Sequence, residues 1–276
     1  MIGQIVRVKK SFCEVKLQSD IVACQVRGNV KRQRPVVGDF VEIDSSGAIC
    51  KIIERTSYFI RPNCANVDIV NIVIASVPKP DYLVVDRLIA MAINGGSGVV
   101  ITINKSDLST EVVEYVKQHY QNSVDGIFEV SALNGNGLEE LKEFLKGKLV
   151  VFAGQSAVGK TSLINGLFGE NFKVGDLSRK TQRGKNTTTS SCIVESQGIK
   201  VMDTPGFTSL YALNILQEDL KNCYREFLNC QCYFSDCLHQ SEPNCGVKKL
   251  VENGEISLDR YNRYLAILKE IEEQKI

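Results

Sequence analysis

The eight residues Gly154-Gln155-Ser156-Ala157-Val158-Gly159-Lys160-Thr161, followed by Ser162, constrain this chain more than any other stretch. They fit G-x-x-x-x-G-K-[ST], a loop whose backbone N–H groups cradle phosphate oxygens at a helix N-terminus. The flanks suit it. Lys148 to Ala153 is a short apolar run that predicts a strand, and Ser162 to Phe168 predicts the first turns of a helix. Together they predict a bound nucleotide, with Lys160 reaching its β/γ-phosphates and Thr161 holding Mg²⁺. The bland alternative is a Gly-rich turn before an ordinary helix.

Upstream, Val67 to Ala75 and Gly98 to Ile103 read as buried strands. Between them Tyr82 to Asn94 has apolar residues at helical spacing, with Asp86 and Arg87 directed outward. Strand, helix and strand at this spacing predict a parallel sheet. The second strand runs into Asn104-Lys105-Ser106-Asp107. In such sheets ligands bind beyond the C-terminal ends of the strands. The Asp107 carboxylate can accept hydrogen bonds from guanine N1–H and N2–H₂. Asn104 can meet the base edge, and the Lys105 stem can lie over base or ribose. Adenine lacks that donor pair, so Asp107 selects GTP over ATP. Alone, these residues would be a helix N-cap turn into Leu108-Ser109; beside a phosphate loop they are a guanine site. A helix over Glu111 to Tyr120 and a strand over Ile127 to Val130 follow. That strand ends in Ser131-Ala132-Leu133, placed for a backbone contact to guanine O6. A helix over Leu138 to Lys146 and a tight Gly147-Lys148 link lead back to the phosphate loop.

Downstream, Gly175 to Thr189 is long, polar and unpatterned. In a compact domain such a stretch is usually a functional loop, and one of its threonines can complete a Mg²⁺ shell. A strand over Ile199 to Met202 leads to Asp203-Thr204-Pro205-Gly206. Asp203 can hold Mg²⁺ through water and the Gly206 N–H can sense a γ-phosphate. The alternative here is an ordinary D-x-P-G turn.

The two ends differ from this centre. Five short β-patterned runs before Ile53 suggest a small barrel of the oligonucleotide-binding type. Eight cations face two acidic residues between Met1 and Pro35, three of them in Lys31-Arg32-Gln33-Arg34. This is either a solvated basic loop or a phosphate-contacting patch. Arg61-Pro62-Asn63 reads as the domain exit. At the other end, Asp219 to Leu228 predicts a helix and Leu258 to Ile276 a charged amphipathic one. Between them Cys232-x₄-Cys237-x-His239-x₅-Cys245 offers three thiolates and an imidazole, a set suited to tetrahedral zinc. Buried thiols in a helical tail are the alternative. Cys223 and Cys230 are spare.

Composition narrows the class. The chain has 276 residues, 43% apolar and 24% charged, with net charge +1. That is an ordinary globular balance, with no global field drawing the chain to nucleic acid or membrane. Ile2, Ile5, Val6 and Val8 are interrupted by Arg7, Lys9 and Lys10, unlike a signal peptide, and no run is long enough to span a bilayer. Of ten cysteines, five crowd between Cys223 and Cys245. Cys13, Cys24, Cys50, Cys64 and Cys192 stand singly in strand-like contexts, as small core residues do. The expected setting is a reducing cytoplasm.

A GTPase normally runs phosphate loop, switch threonine, D-x-x-G, N-K-x-D, S-A. Here the order is Asn104 to Asp107, Ser131-Ala132, the Gly154 loop, Thr187 to Thr189, then Asp203 to Gly206. That is a circular permutation, with Gly147-Lys148 as the join. The order, the preceding barrel and the C-x₄-C-x-H-x₅-C tail together resemble the small-ribosomal-subunit-dependent GTPases, the RsgA (YjeQ/YloQ) family. The resemblance implies an all-β oligonucleotide-binding (OB-fold) barrel over 1–65, a permuted α/β GTPase domain over 66–215 and a mostly helical zinc domain over 216–276. It implies contact with the small subunit and its rRNA, a role in late maturation of that subunit, hydrolysis stimulated by it, and a monomer. By resemblance, Asn104, Lys105, Ser106 and Asp107 read guanine with Ser131 and Ala132. Gly154, Gln155, Ser156, Ala157, Val158, Gly159, Lys160, Thr161 and Ser162 hold phosphates. Asp203 and Gly206 complete the GTP site, Thr161 and Thr188 (or Thr187) serve Mg²⁺, and Cys232, Cys237, His239 and Cys245 hold one zinc.

Three departures stand out. Many GTPases have a water-orienting Gln after the D-x-x-G glycine, where this chain has Phe207. The family's G-R-H-T-T is Gly184-Lys185-Asn186-Thr187-Thr188 here, and its His is assigned to water positioning. Asn186 can hydrogen-bond a water but cannot act as acid or base near neutral pH. Lys160, Asn186 and Thr188 are thus the expected catalytic set. A second expectation is a nucleotide-gated ribosome-binding switch with little hydrolysis of its own. Finally, Ala157 stands where the family usually has Gly, and no K⁺ requirement is expected through that position.

Overall fold

The computed structural model describes residues 1–18, 20–169, 191–203 and 214–274. Five strands build the first unit: β1 (Ile2–Val8), β2 (Cys13–Leu17), β3 (Asp20–Cys24), β4 (Phe40–Ile43) and β5 (Ile49–Ile52). β1 pairs antiparallel with β2 and β4, β2 with β3, and β4 with β5. The ring closes where Arg27 N–H donates to Ile49 O at 3.1 Å and Ile49 N–H donates to Gln25 O at 2.8 Å. The strand order 1-2-3-5-4-1 is that of an OB barrel. Alternate residues such as Ile5, Val15, Val41 and Ile49 point inward and are fully buried, and Val30 of α1 (Gly28–Lys31) joins them. Cys13 and Cys24 belong to this core, as small apolar residues should. Arg7, Lys9, Lys16 and Arg27 have acidic partners, while Lys31, Arg32 and Arg34 stand exposed at the end of α1 and just after it.

A short hairpin, β6 (Tyr58–Phe59) and β7 (Cys64–Ala65), follows. Arg61-Pro62-Asn63 forms its turn and is not an exit linker. Polar and Pro-containing composition looks alike in both. The difference is Phe59, which is buried with Cys64 in the core of the next unit and fills the space beside Gly95.

The central sheet contains β8 (Ile69–Ala75), β9 (Gly98–Asn104), β10 (Gly126–Val130), β11 (Leu149–Ala153), β12 (Cys192–Ser196) and β13 (Ile199–Asp203). Its order is β10-β9-β8-β11-β13-β12, all parallel except β12 against β13. Helices α2 (Tyr82–Asn94) and α3 (Glu111–Tyr120) cover one face, over Val70, Ile72 and Ile74. Helices α4 (Leu138–Leu145) and α5 (Lys160–Phe168) cover the other, over Ile69, Val73 and Phe152. Burial on both faces is why β8, β9 and β11 read as continuous apolar runs. β12 also meets β1 at Cys192 and Arg7, so barrel and central sheet are continuous.

The C-terminal region contains α6 (Gln217–Leu220), α7 (Gly246–Glu252) and α8 (Leu258–Glu273). The expected helix over Asp219 to Leu228 is instead α6 followed by two 3₁₀ turns, Lys221–Cys223 and Arg225–Phe227. Tyr224 between them is extended at φ −106°, ψ 96°. That break turns its ring inward, stacked on Phe227 and edge-on to Tyr264.

Asp86 overturns the outward placement expected for it. It is fully buried under α8. Arg260 donates to its carboxylate at 2.5 Å, Arg263 bonds its other oxygen, and Arg260 also pairs with Glu226 at 2.5 Å. The Arg260 guanidinium lies between the Tyr120 and Tyr224 rings, 4.7 and 4.9 Å from their centroids. Arg87 pairs with Glu270. Among the described residues no helix is long and apolar enough to cross a membrane.

Candidate functional site

Three loops meet at the C-terminal ends of β11, β9 and β10. The first joins β11 to α5. Gly154 has φ +128°, and a Cβ there would overlap the carbonyl of Val73 on β8. Gly159 has φ +93°, and a Cβ there would overlap the Asn104 amide nitrogen. Only glycine suits a positive φ combined with such close approach. Ala157 also sits in the left-handed region, at φ +64°. The Lys160 ammonium caps the loop, donating to Gly154 O at 2.8 Å and Gln155 O at 2.6 Å. Burial lowers its pKa. Thr161 and Ser162 lie exposed in the first turn of α5, where unpaired N–H groups favour an anion.

The second loop begins at Asn104, which is buried at the end of β9. Its Nδ2 donates to Val158 O at 2.9 Å, and its Oδ1 accepts from the Ala132 N–H at 3.0 Å. Asn104 therefore ties the phosphate loop to the Ser131-Ala132 turn, and one amide N–H remains for a base edge. Lys105, at φ +57°, spans two loops by donating to Val77 O at 2.7 Å and Ala157 O at 3.0 Å. The Ser106 N–H is held by Val130 O, and Asp107 is exposed at the end of the turn. In the third loop Ser131 is buried, and its hydroxyl accepts from the Asn134 N–H at 3.3 Å. Asp203 ends β13, beside β11 in the sheet, and burial raises its pKa. Asn186, Thr187, Thr188, Gly206 and Phe207 lie outside the described residues.

Sequence reasoning missed one partner of the phosphate loop. The Gln155 side chain accepts from the Asp81 N–H at 3.0 Å, at the start of α2. With Val77 this brings the segment after β8 into the site. Its signal was available: Pro78 and Pro80 follow the C-terminal end of a buried strand, where ligand loops lie.

The metal candidates converge as expected. The donor atoms of Cys232, Cys237, His239 and Cys245 all lie within 4.8 Å of one another. His239 Nδ1 is 3.5, 3.4 and 3.4 Å from the sulfurs of Cys232, Cys237 and Cys245. The Cys232 and Cys245 sulfurs are 3.9 Å apart. Zinc bonds of about 2.3 Å to sulfur and 2.0–2.1 Å to nitrogen, arranged tetrahedrally, require about 3.6 Å between S and N and about 3.8 Å between sulfurs. The donor set fits such an ion. Helix α8 holds this loop: Tyr261 OH donates to His239 O and Tyr264 OH to Leu238 O, both at 2.7 Å. The Glu242 carboxylate accepts the Leu238 and Gln240 N–H groups. The spare Cys223 is core, and the spare Cys230 is half-buried beside the cluster.

A phosphate loop, an N-K-x-D turn and an S-A turn on one parallel sheet, met in permuted order behind an OB barrel, define a circularly permuted P-loop GTPase. Comparison with known proteins agrees. The RsgA GTPase family model matches residues 52–213 and the RsgA N-terminal domain model residues 2–48. The protein named small ribosomal subunit biogenesis GTPase RsgA in Caldanaerobacter subterraneus subsp. tengcongensis is 39% identical, covering 99% of this chain and 96% of its own. The protein of that name in Thermotoga petrophila is 38% identical over 91% of this chain and 89% of its own. The crystal structure of YjeQ from Thermotoga maritima superposes with TM-score 0.83 at 34% identity, covering 98% of each chain. YloQ, described as a circularly permuted GTPase, gives 0.80 at 28% identity, covering 100% of this chain and 96% of that one. The chain belongs to the RsgA family of GTPases.

Proposed function

We propose that this GTPase acts in biogenesis of the small ribosomal subunit, binding that subunit and its rRNA late in maturation, with hydrolysis stimulated by it. The observation that carries the site reading is Asn104, which joins the phosphate loop to the Ser131-Ala132 turn across the permuted order. Asp107 reads guanine N1–H and N2–H₂, and Lys105, Ser106, Ser131 and Ala132 shape the base pocket. The loop from Gly154 to Ser162 holds phosphates, and Lys160 neutralises charge developing on the transferred group. Thr161 and Thr188 (or Thr187) serve Mg²⁺, with Asp203 and Gly206 beside the γ-phosphate. Cys232, Cys237, His239 and Cys245 hold one structural zinc.

The working division is a barrel over 1–65, the GTPase unit over 66–215 and the metal-binding unit over 216–276. The exposed Lys31, Arg32 and Arg34 support rRNA contact by the barrel. The chain works as a cytoplasmic monomer. Asn186 favours a second reading, a nucleotide-gated ribosome-binding switch with little turnover. GTP hydrolysis measured with and without small subunits, for the native chain and Asn186→His, tests both. Stimulation of the native chain by subunits supports the first. Turnover that appears only in Asn186→His supports the second, and no response to subunits in either chain removes the proposed partner.

A further inference from the structure

An open cavity of about 460 Å³ lies beside the metal cluster. Its wall carries three cysteines, Cys230, Cys232 and the deeply buried Cys237, with Lys221, Phe234 and His239 nearby; Cys230 and Cys232 are two residues apart. Cys232 belongs to the donor set and Cys230 does not. Both are half-buried, whereas Cys237 and Cys245 are each 2% exposed, and Cys245 does not reach the cavity wall. A small oxidant entering the cavity meets Cys232 and Cys230 first. The other spare thiol, Cys223, is 2% exposed and turned to the carbonyl of Asp219. Residues 230–232 are neither helix nor strand. Residues two apart have Cα atoms at most about 7 Å from one another, and bending such a segment brings them within the disulfide range.

We propose that Cys230 and Cys232 form a thiol-oxidation site through which a hydroperoxide reversibly releases the metal. This rests on the reading that the four-residue cluster holds zinc. The Cys232 thiolate attacks one peroxide oxygen. The O–O bond breaks, the sulfur keeps the attacked oxygen as a sulfenic acid, and the other oxygen takes the bonding pair and leaves, as hydroxide from hydrogen peroxide or as alkoxide from an organic hydroperoxide. The Cys230 thiol then attacks that sulfur. An S–S bond forms, the S–O bond breaks, and the Cys230 proton leaves with the hydroxyl as water. Cys232 no longer offers a thiolate, so the donor set falls to three. A dithiol reverses the step, becoming a disulfide itself as both cysteines regain S–H. Cys230 thus captures the sulfenic acid before a second peroxide drives it to sulfinic acid, which thiols do not reduce.

The test uses the full chain isolated with its metal. Atomic absorption before oxidation decides the zinc reading by itself. Hydrogen peroxide is then added, metal release is followed with a chromogenic chelator, and cysteine connectivity is mapped by peptide mass. A Cys230–Cys232 disulfide should accumulate in step with metal release, and dithiothreitol should reverse both. Cys230→Ser keeps all four ligands and should start with the same metal content. After peroxide it should yield sulfinic acid at Cys232 and lose its recovery in dithiothreitol, while Cys223→Ser should match the unsubstituted chain. A Cys232–Cys245 disulfide in place of Cys230–Cys232, or full recovery of Cys230→Ser, overturns the proposal. Connectivity is read whether or not zinc is found, so failure of the metal reading stays separate.

Discussion

The Asn104 amide nitrogen occupies the space that a Cβ on Gly159 would fill, and from there it donates to Val158 O at 2.9 Å. The N-K-x-D turn and the phosphate loop are thus one interlocked unit, although Asn104 and Val158 are 54 residues apart. Truncating Asn104→Ala leaves Val158 O and the Ala132 N–H without their partner. The loss should be about 2–4 kcal/mol of stability in denaturant unfolding. GTP affinity should fall at least about tenfold in a displacement assay.

On the proposed reading Asp107 selects the base, and it takes no part in this interlock. Asp107→Asn should leave the unfolding midpoint unchanged and lower the preference for GTP over ATP by roughly 100-fold, the loss of charge-assisted hydrogen bonds worth about 3 kcal/mol. Competition binding with both nucleotides reads this directly. Equal competition by ATP in the unsubstituted chain would remove the role from Asp107.

Ala157 holds φ +64° in the middle of the loop. A left-handed alanine costs about 1–2 kcal/mol, and replacement by glycine returns about 0.4–1 kcal/mol of that to unfolded-chain entropy. Ala157→Gly should therefore stabilise the chain by at most about 1.6 kcal/mol. Destabilisation in thermal or chemical unfolding would contradict the strain argument.

Asp86 links the GTPase helices to α8 through two guanidiniums. Asp86→Ala leaves Arg260 buried without its main counter-charge, and the expected loss is about 3–5 kcal/mol. Replacing the group together, as Asp86→Leu, Arg260→Met and Arg263→Leu, should recover most of it, because the desolvation cost disappears with the charges. Denaturant midpoints for the single and combined variants decide this.

Removing the metal should act locally. The loop from Cys232 to Cys245 has little regular structure; beside the donor cluster it is held by two tyrosine hydroxyls from α8, by Lys221 at Cys237 O and by its own Glu242. A chelator should raise amide exchange across residues 230–246 while β8, β9 and β11, buried on both faces, keep their protection. Loss of protection in those strands would show that the metal supports the whole fold.

The element plan was legible because each unit has a period of its own: alternation in the barrel, continuous apolar runs in the central strands, helical spacing in α2 and α3. The site was legible where chemistry is contiguous in sequence, as in Gly154 to Thr161 and Cys232 to Cys245. Asp86 was misplaced because amphipathic reasoning directs a charged residue to solvent. Helix α2 has a second covered side, under α8, and nothing within α2 announces it. Gln155 was assigned to phosphates by position, and its side-chain amide oxygen also accepts from the start of α2, a contact that spacing did not announce.

The family, the permuted order of the nucleotide motifs and the metal donor set were readable in the chain alone, since each depends on residue types at short spacing. What those residues do for one another came from the folded arrangement. The fold shows Asn104, expected at the base edge, also tying two loops together, and it moves Asp86 from a surface charge to a buried anchor. It also separated Cys230, on an open cavity, from Cys223 in the core. The reason is physical: backbone chemistry is local, but burial and partnership depend on which distant element covers a side chain.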